Sequence, residues 1–275
     1  MGQHGMAPGL DPRGRVLIIA GSDSGGGAGV QADIKTVTAL GGYAATAITA
    51  VTVQNTLGVT AVHPIPAEFV EAQARAVLDD IGADAIKTGM LGGTATVEAV
   101  ARVLSGFQAS VVLDPVMLSK SGAALLDPGA LSAFRALLIP QASLLTPNAP
   151  EAEALTGVQV ASLGGQRRAA DALLAQGAWA VLVKGGHLPG ASIVDLLVTR
   201  HGEHRFEHPR LETRHTHGTG CTLASACAAG LAQGLPLAEA VERAVTYTAR
   251  AIANAPGLGA GAGPLDHGWP LRERS

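Results

Sequence analysis

A cysteine that directly follows a Gly-Thr-Gly segment is the strongest candidate for chemistry in this sequence. The segment consists of Gly218, Thr219, Gly220 and Cys221. It opens an alanine-rich stretch that predicts a helix, and the free N–H groups at a helix start favour a negatively charged oxygen. The helix dipole also lowers the pKa of a thiol in the first turn. We therefore expect an oxyanion cradle, with Cys221 beside it as a base or a nucleophile. The alternative, a small buried cysteine, suits Cys227 better.

A second group of polar side chains follows short apolar runs that predict strands. Its members are Asp114, Asn148, Glu151 and Lys184. Asn148 and Glu151 are three residues apart at a predicted helix entry, where they could orient the water shell of Mg²⁺ around phosphates. The alternative for this pair is a helix cap. Lys184 precedes two glycines and is suited to reach a phosphate, with a solvated lysine as the alternative.

The glycine-rich loop at residues 21–29 and a pair of histidines are weaker candidates. The loop lies between a predicted strand and a predicted helix, but it matches neither the P-loop nor the dinucleotide fingerprint. Asp23 and Asp33 bracket it and suggest polar recognition, while a plain turn is the alternative. His215 and His217 lack further Cys, Asp or Glu ligands nearby, which disfavours a metal site.

Alternating strands and helices must position these residues. Strands are predicted at residues 15–20, 47–54, 85–88, 110–113, 143–146 and 180–184, with an antiparallel hairpin at 193–199 and 204–208. Helices are predicted at residues 29–40, 66–79, 93–104, 128–138, 149–156, 165–176, 218–231 and 236–254. The uninterrupted apolar strands predict a mainly parallel sheet covered by helices on both faces. The candidate residues then meet where the strands end, at one edge of the sheet.

Composition excludes several classes of protein. The chain has 275 residues, of which 47% are hydrophobic, and a net charge of −3, so a disordered protein and a nucleic-acid-binding protein are disfavoured. The 36 glycines follow no period of three, which excludes collagen. Glycines and polar residues interrupt the charge-free window at residues 36–67, so we predict no membrane span. Two cysteines are too few for a disulfide framework and indicate a reduced, cytoplasmic protein. We predict a disordered tail at residues 1–14 and one domain at 15–270.

Seven motifs in order along the chain closely resemble those of the hydroxymethylpyrimidine/phosphomethylpyrimidine kinases of thiamine biosynthesis. They are VLIIAGSDSGGGAGVQAD at residues 16–33, AVTVQN at 50–55, KTGML at 87–91, DPVMLSKSG at 114–122, TPNAPE at 146–151, KGGH at 184–187 and THGTGCT at 216–222. The family belongs to the ribokinase-like superfamily. The resemblance therefore implies a three-layer α/β/α sandwich with a mostly parallel central sheet, and a homodimer.

The resemblance also implies a reaction. Such kinases use ATP and Mg²⁺ to phosphorylate the hydroxymethyl group of 4-amino-5-hydroxymethyl-2-methylpyrimidine, and then phosphorylate the monophosphate to the diphosphate. By matching motifs, the substrate-binding residues would be Gln54, Asp33, Gly21, Met90 and Val116. Gln54 and Asp33 would donate or accept hydrogen bonds to the pyrimidine, and the other three would line its pocket.

Further roles follow from the same resemblance. Cys221 takes the position of the base, and the Gly-Thr-Gly segment forms the anion hole for the transferred phosphoryl group. Asn148 and Glu151 match a metal and phosphate element, Lys184 would approach the nucleotide phosphates, and Asp114 would lie near Mg²⁺. The sequence departs from the expected motif in the first loop, where Gly25 follows Ser24 and the usual proline is absent.

Three alternatives remain open on the sequence. A pyridoxal or pyridoxine kinase of the same superfamily would bind a ring of similar size. A hydrolase with Cys221 as its nucleophile would need a His–carboxylate partner. A non-catalytic vitamin- or nucleotide-binding protein would bind its ligand without turning it over.

Overall fold

One nine-stranded sheet organises the part of the chain that the structure describes. The computed structural model describes residues 14–117, 122 and 125–272. The predicted tail lies outside these residues except for Gly14, and so does part of the 114–122 motif. The strands are β1 (Arg15–Asp23), β2 (Tyr43–Asn55), β3 (Gly58–Pro64), β4 (Ala85–Thr88), β5 (Ser110–Leu113), β6 (Leu144–Leu145), β7 (Ala180–Val183), β8 (Ser192–Thr199) and β9 (Gly202–Pro209).

Helices connect most of these strands. They are α1 (Gly29–Ala39), α2 (Ala67–Asp80), α3 (Thr94–Ser105), α4 (Ala130–Ala133), α5 (Ala149–Thr156), α6 (Leu163–Ala175), α7 (Thr219–Ala232), α8 (Leu237–Ala253) and α9 (Trp269–Arg272). A π-helical turn at Phe134–Leu138 and a 3-10 turn at Ile139–Gln141 continue α4, so the single helix predicted at 128–138 is in fact segmented.

The strand order creates a crevice beside β1. The order is β3-β2-β1-β4-β5-β6-β7-β8-β9, with β1 parallel to both β2 and β4. The chain therefore builds the sheet outward from β1 in two opposite directions. A crevice opens outside the carboxyl ends of the strands where this direction changes, and ligands of such sheets bind there.

Alternate residues of β1 supply the two cores of the sandwich. Leu17 and Ile19 pack on one face with residues of α2, α3, α5 and α6. Val16 and Ile18 pack on the other face with residues of α1, α7 and α8. Side chains of a strand alternate between the faces, so an uninterrupted apolar strand must be covered on both sides. The predicted three-layer α/β/α architecture is confirmed.

The main difference from the predicted elements lies at the edge of the sheet. β3 pairs antiparallel with β2 and lacks a counterpart in the prediction. Its last five residues are exposed, so the strand carries no hydrophobic alternation that would mark it. The hairpin of β8 and β9 is antiparallel as predicted, and it forms the opposite edge.

Candidate active site

A cavity of about 970 Å³ lies at the carboxyl ends of the parallel strands. It brings together almost all the residues that the sequence singled out. Those in its lining are Gly21, Gln54, Met90, Asp114, Val116, Asn148, Glu151, Lys184, Gly218, Thr219, Gly220 and Cys221. Asp33 is absent from that lining. Phe, Tyr and Trp are absent as well among the described lining residues, so a ring bound here would meet aliphatic and polar groups.

The Gly-Thr-Gly segment, which was predicted to bind an anion, forms the start of α7. Gly218 caps the helix with a φ of 85°, a left-handed conformation that favours glycine. A Cβ at this position would collide with the carbonyl group of Gly27, so the close approach of the two loops also requires glycine. The first N–H groups of the helix lack partners within it, and this helix start lines the cavity.

The environment of Cys221 differs from the expectation. The helix start was expected to lower the pKa of the thiol, but burial raises it to about 11. The positive charge of Lys87 opposes this effect without overcoming it. Because desolvation disfavours the charged form, Cys221 is mainly a thiol at neutral pH. The prediction that the helix start lowers the pKa of this thiol is wrong.

Asp33 is the one candidate that the structure places away from the cavity. Its carboxylate is fully buried and accepts hydrogen bonds from Lys87 Nζ at 2.8 Å and from Ser225 Oγ at 2.7 Å. The expected direct hydrogen bond from Asp33 to a substrate is therefore not available in this arrangement. Lys87, the partner of Asp33, lines the cavity instead.

Gln54 lies in a network of polar groups at one end of the cavity. Thr52 Oγ1 lies 3.1 Å from the Gln54 amide oxygen, and the amide nitrogen is 3.3 Å from Nε2 of His217. His217 in turn lies 2.8 Å from a carboxylate oxygen of Asp23. Because His217 Nε2 donates to Asp23, it cannot also accept from the Gln54 amide nitrogen, so the amide N–H groups are available to pair with the edge of a flat ring.

Asp23 organises the first loop. Its carboxylate accepts hydrogen bonds from the backbone N–H groups of Gly25, Gly27 and Ala28. Burial opposes ionisation of Asp23, but the hydrogen bonds from His217 and the loop outweigh it and lower its pKa. The carboxylate that suggested ligand recognition is thus used to fold the loop and to hold His217.

Lys184 joins two carboxylates at the other end of the cavity. Its Nζ lies 3.0 Å from Asp114 Oδ1 and 3.9 Å from Glu151 Oε2. It also lies 3.2 Å from the point where a Cβ on Gly220 would stand, which places the ammonium group beside the cradle. Burial lowers the pKa of Lys184, but Asp114 and Glu151 outweigh it and raise the pKa, so the group stays charged.

The helix-cap interpretation of the Asn148 and Glu151 pair is confirmed, and the Mg²⁺ interpretation stays a prediction. The side chains form a capping box, in which Asn148 Oδ1 accepts from the Glu151 N–H and Glu151 Oε2 accepts from the Asn148 N–H. Burial and the nearby Asp114 carboxylate raise the pKa of Glu151 to about 7, against the effect of Lys184. The cap thus holds Glu151 in the cavity beside a second carboxylate.

The glycine-rich segment near the C-terminus supports the Gln54 end of the cavity. The backbone N–H of His217 donates to the carbonyl group of Gly263, and the N–H of Gly261 donates to Thr56 Oγ1. A Cβ on Gly261 would collide with the Thr56 carbonyl group, so this crossing requires glycine. Sequence reasoning assigned no role to this segment.

Lys87, Ser225 and Thr52 are site residues for which sequence reasoning assigned no role. Lys87 carried a usable signal, because a lysine in the buried strand AIKT requires a buried partner. Ser225 and Thr52 carried no such signal, since the role of each residue depends on contacts between segments that are distant in the sequence. Among the described residues, no group of three or more His, Cys, Asp or Glu side chains could hold a metal ion by itself.

Comparison with known proteins agrees with this geometry. The family model described as phosphomethylpyrimidine kinase matches residues 23–266. The hydroxymethylpyrimidine/phosphomethylpyrimidine kinase of Streptomyces coelicolor is 53% identical over 258 residues, which cover 94% of this chain and 96% of that protein.

Solved structures show the same fold. The pyridoxal kinase of Staphylococcus aureus in complex with pyridoxal superposes with a TM-score of 0.86 at 36% identity, covering 93% of each chain. The phosphomethylpyrimidine kinase of Clostridium difficile superposes with a TM-score of 0.77 at 40% identity, covering 86% of this chain and 99% of that one. The match to the family model and the identity to its members show that the chain belongs to the phosphomethylpyrimidine kinase family.

Proposed function

We propose that this chain transfers the γ-phosphoryl group of ATP to the hydroxymethyl group of 4-amino-5-hydroxymethyl-2-methylpyrimidine, and then phosphorylates the monophosphate. The observation that carries the proposal is one cavity that holds a planar amide at one end and an anion cradle with a lysine at the other. A ring bound against Gln54 would present its hydroxymethyl group toward the start of α7, and the nucleotide phosphates would lie toward Lys184.

The proposed residue roles follow from their positions. The Gln54 amide would donate to a ring nitrogen and accept from the adjacent amino group, while Met90 and Val116 would contact the ring faces. The hydroxymethyl oxygen forms the new bond to phosphorus, its proton passes to the thiolate form of Cys221, and the bond from phosphorus to the leaving ADP oxygen breaks. The Gly-Thr-Gly backbone would stabilise the negative charge on the transferred group, since such transfers depend mainly on positioning and charge.

The residues near Lys184 fit Mg²⁺ that arrives with the nucleotide. Mg²⁺ keeps several waters and binds through one or two carboxylates together with substrate phosphates. Asp114 and Glu151 are two such carboxylates, and burial is the main cause that raises the pKa of Glu151, which a bound cation would lower. When bound, the ion would neutralise charge on the phosphates.

A coupled assay tests the proposal. ADP release is measured with hydroxymethylpyrimidine, with its monophosphate and with pyridoxal, and the kcat/KM values are compared. We expect the two pyrimidines to have the higher values. A higher value for pyridoxal, which the structural similarity to pyridoxal kinases makes the second candidate, would overturn the assignment. Tight binding without turnover of any substrate would favour a non-catalytic protein. The named relatives are kinases, which argues against the thiol hydrolase.

We also propose that the chain forms a homodimer through the β2–β3 ribbon. Val51 and Val53 on β2 are exposed, with 61% of Val53 accessible, and β3 ends the sheet with a free edge. Exposed apolar strands at an edge favour pairing with another chain. Sedimentation should show a dimer for the wild type and a monomer for Val51→Lys/Val53→Lys. A dimer that persists in this variant would contradict the proposed interface.

A cytoplasmic location is the last part of the proposal. Cys221 and Cys227 are both free thiols, as expected in a reducing compartment. In the residues that the structure covers, every helix is too short or too polar to cross a membrane. Fractionation of cells that produce the protein would test this location, and recovery in an oxidising compartment would contradict it.

A further inference from the structure

A buried ion pair lies beneath the start of α7 and lacks a role in the mechanism described so far. Lys87 on β4 and Asp33 on α1 are 54 residues apart and have fully inaccessible side chains. Taking two charges out of water is costly, and such a pair often contributes little to the free energy of unfolding. Its position next to the cavity points to a function in the site.

Lys87 is the member of the pair that lies nearer the cavity. Lys87 lines the cavity and Asp33 does not. Lys87 Nζ also lies 3.1 Å from the point where a Cβ on Gly89, another lining residue, would stand. Burial lowers the pKa of Lys87, but Asp33 outweighs it and raises the pKa, so Lys87 remains an ammonium ion and cannot serve as a base.

Ser225 connects the pair to the helix that carries Cys221. Its hydroxyl group donates to Asp33 Oδ1, while Lys87 donates to Asp33 Oδ2. Ser225 lies four residues after Cys221 on α7, and residues four apart share one face of a helix. Asp33 is therefore hydrogen-bonded both to the ammonium group of Lys87 and to the face of α7 that carries Cys221.

Other charged groups also act on Cys221. The negative charges of Asp33 from α1 and of Asp114 after β5 raise the pKa of its thiol, and Lys87 lowers it. Lys184, after β7, is the second cation that interacts with this thiol. Among the groups that act on the thiol pKa, Lys87 has a larger effect than either carboxylate, which agrees with its place in the lining of the cavity.

We propose that Lys87 is a positioning residue that stabilises the thiolate of Cys221, and that Asp33 and Ser225 hold its ammonium group in place for this purpose. This inference deepens the proposed function, in which Cys221 accepts the proton of the substrate hydroxyl group. The fixed positive charge of Lys87 favours the thiolate over the thiol and opposes the cost of burying its charge.

The thiol can be titrated without any activity measurement. The chain has two cysteines, so the Cys227→Ala background leaves Cys221 as its one thiol. The apparent pKa is measured by thiolate absorbance after stopped-flow pH jumps and by the pH dependence of alkylation with iodoacetamide. A change in accessibility alters the limiting alkylation rate but not the apparent pKa. The apparent pKa therefore distinguishes an electrostatic effect on the thiol from a change in its accessibility.

The informative variant removes both charges of the pair. Lys87→Met alone would leave a buried carboxylate without its partner and could fail to fold. In Asp33→Asn/Lys87→Met the loss of Asp33 offsets part of the loss of Lys87, so we expect the pKa of Cys221 to rise by roughly half a unit, about threefold less thiolate at a given pH. Lys35→Met is the control, since Lys35 is an exposed lysine on the same helix as Asp33. It should leave the pKa of Cys221 unchanged.

An unchanged pKa in the folded double variant would overturn the inference. If the double variant does not fold, Ser225→Ala decides, because it keeps both charges and removes one of the hydrogen bonds to Asp33. A smaller rise of the pKa of Cys221 in Ser225→Ala supports the inference, and no rise contradicts it. The proposed function can fail independently, because the coupled assay could show no phosphoryl transfer while the thiol still titrates as expected.

Discussion

At the scale of single residues, the site consists of weak groups whose surroundings determine what they can do. Burial raises the pKa of Cys221 to about 11, so only a small fraction of this thiol is ionised at neutral pH. Phosphoryl transfer tolerates such a base, because the attacking hydroxyl group needs positioning and charge stabilisation more than strong proton abstraction.

Cys221→Ala should lower kcat by a factor of roughly 10² to 10⁴, the usual contribution of a positioned general base. The KM values for both substrates should change little, since the sulfur acts mainly in the transition state. Steady-state kinetics with hydroxymethylpyrimidine measure this effect. The matched control is Cys227→Ala, a buried thiol in the middle of α7, which should retain turnover. Near-wild-type turnover in Cys221→Ala would rule out its role as the base.

Lys184→Ala should impair the use of ATP and leave pyrimidine binding intact. Charge-assisted hydrogen bonds contribute about 1.5–3 kcal/mol, so the KM for ATP should rise by about 10- to 100-fold. Calorimetry with the pyrimidine alone should give an unchanged Kd. Lys35→Ala, which removes an exposed lysine, is the control. Loss of pyrimidine affinity without an effect on ATP would reverse the proposed orientation of the substrates.

At the scale of elements, α7 has a left-handed glycine near each end. Gly218 has a φ of 85° and contacts the first loop, whereas Gly234 has a φ of 79° with open space around it. A side chain at Gly234 would therefore meet backbone strain alone, whereas a side chain at Gly218 would meet both backbone strain and a steric clash.

Alanine at each position tests this difference. Gly234→Ala should lower the free energy of unfolding by about 1–2 kcal/mol, the cost of a left-handed alanine, and should keep kinase activity. Gly218→Ala should cost more in urea unfolding, because its Cβ would also displace the Gly27 carbonyl group, and kcat should fall as the cradle shifts. Equal effects of the two variants on stability and activity would show that the close approach is unimportant.

Elements were predictable where a local pattern determines them. The strands at 85–88 and 110–113 have the predicted ends, because each is an apolar run bounded by turn residues. β3 could not be predicted, since an exposed edge strand lacks that pattern. In the site, the Gly-Thr-Gly cradle follows from local sequence. The contact between Lys87 and Asp33 does not, because it joins residues that are 54 positions apart along the chain.

At the scale of the whole molecule, the described C-terminal residues anchor the helices around the site. His267 Nε2 lies 2.9 Å from Thr222 Oγ1 in the first turn of α7, and its carbonyl group accepts a hydrogen bond from Tyr247 on α8. Burial lowers the pKa of His267 to about 4. Its neutral ring is therefore part of the folded structure.

This pKa predicts a pH dependence of stability. Between about pH 6.5 and pH 4 the unfolded chain binds a proton at His267 that the folded protein does not, so the free energy of unfolding falls as the pH falls. The loss at this residue should reach roughly 3 kcal/mol near pH 4. Urea unfolding from pH 4 to pH 7 should show a smaller slope for His267→Gln than for wild type.

The exposed His201 supplies the control for this measurement. His201→Gln should show the same dependence on pH as the wild type, because an exposed ring is hydrated in both states. If His267→Gln also retains the wild-type slope, burial of His267 is not the source of the acid sensitivity.

The path of the glycine-rich segment also determines when the site is complete during synthesis. A ribosome makes Thr56 and His217 before it makes Gly261 and Gly263, to which they are hydrogen-bonded. The sheet and most of the cavity can therefore form on the nascent chain while His217 still lacks its backbone partner. Substrate binding at the Gln54 end should consequently be among the last properties that the growing chain acquires.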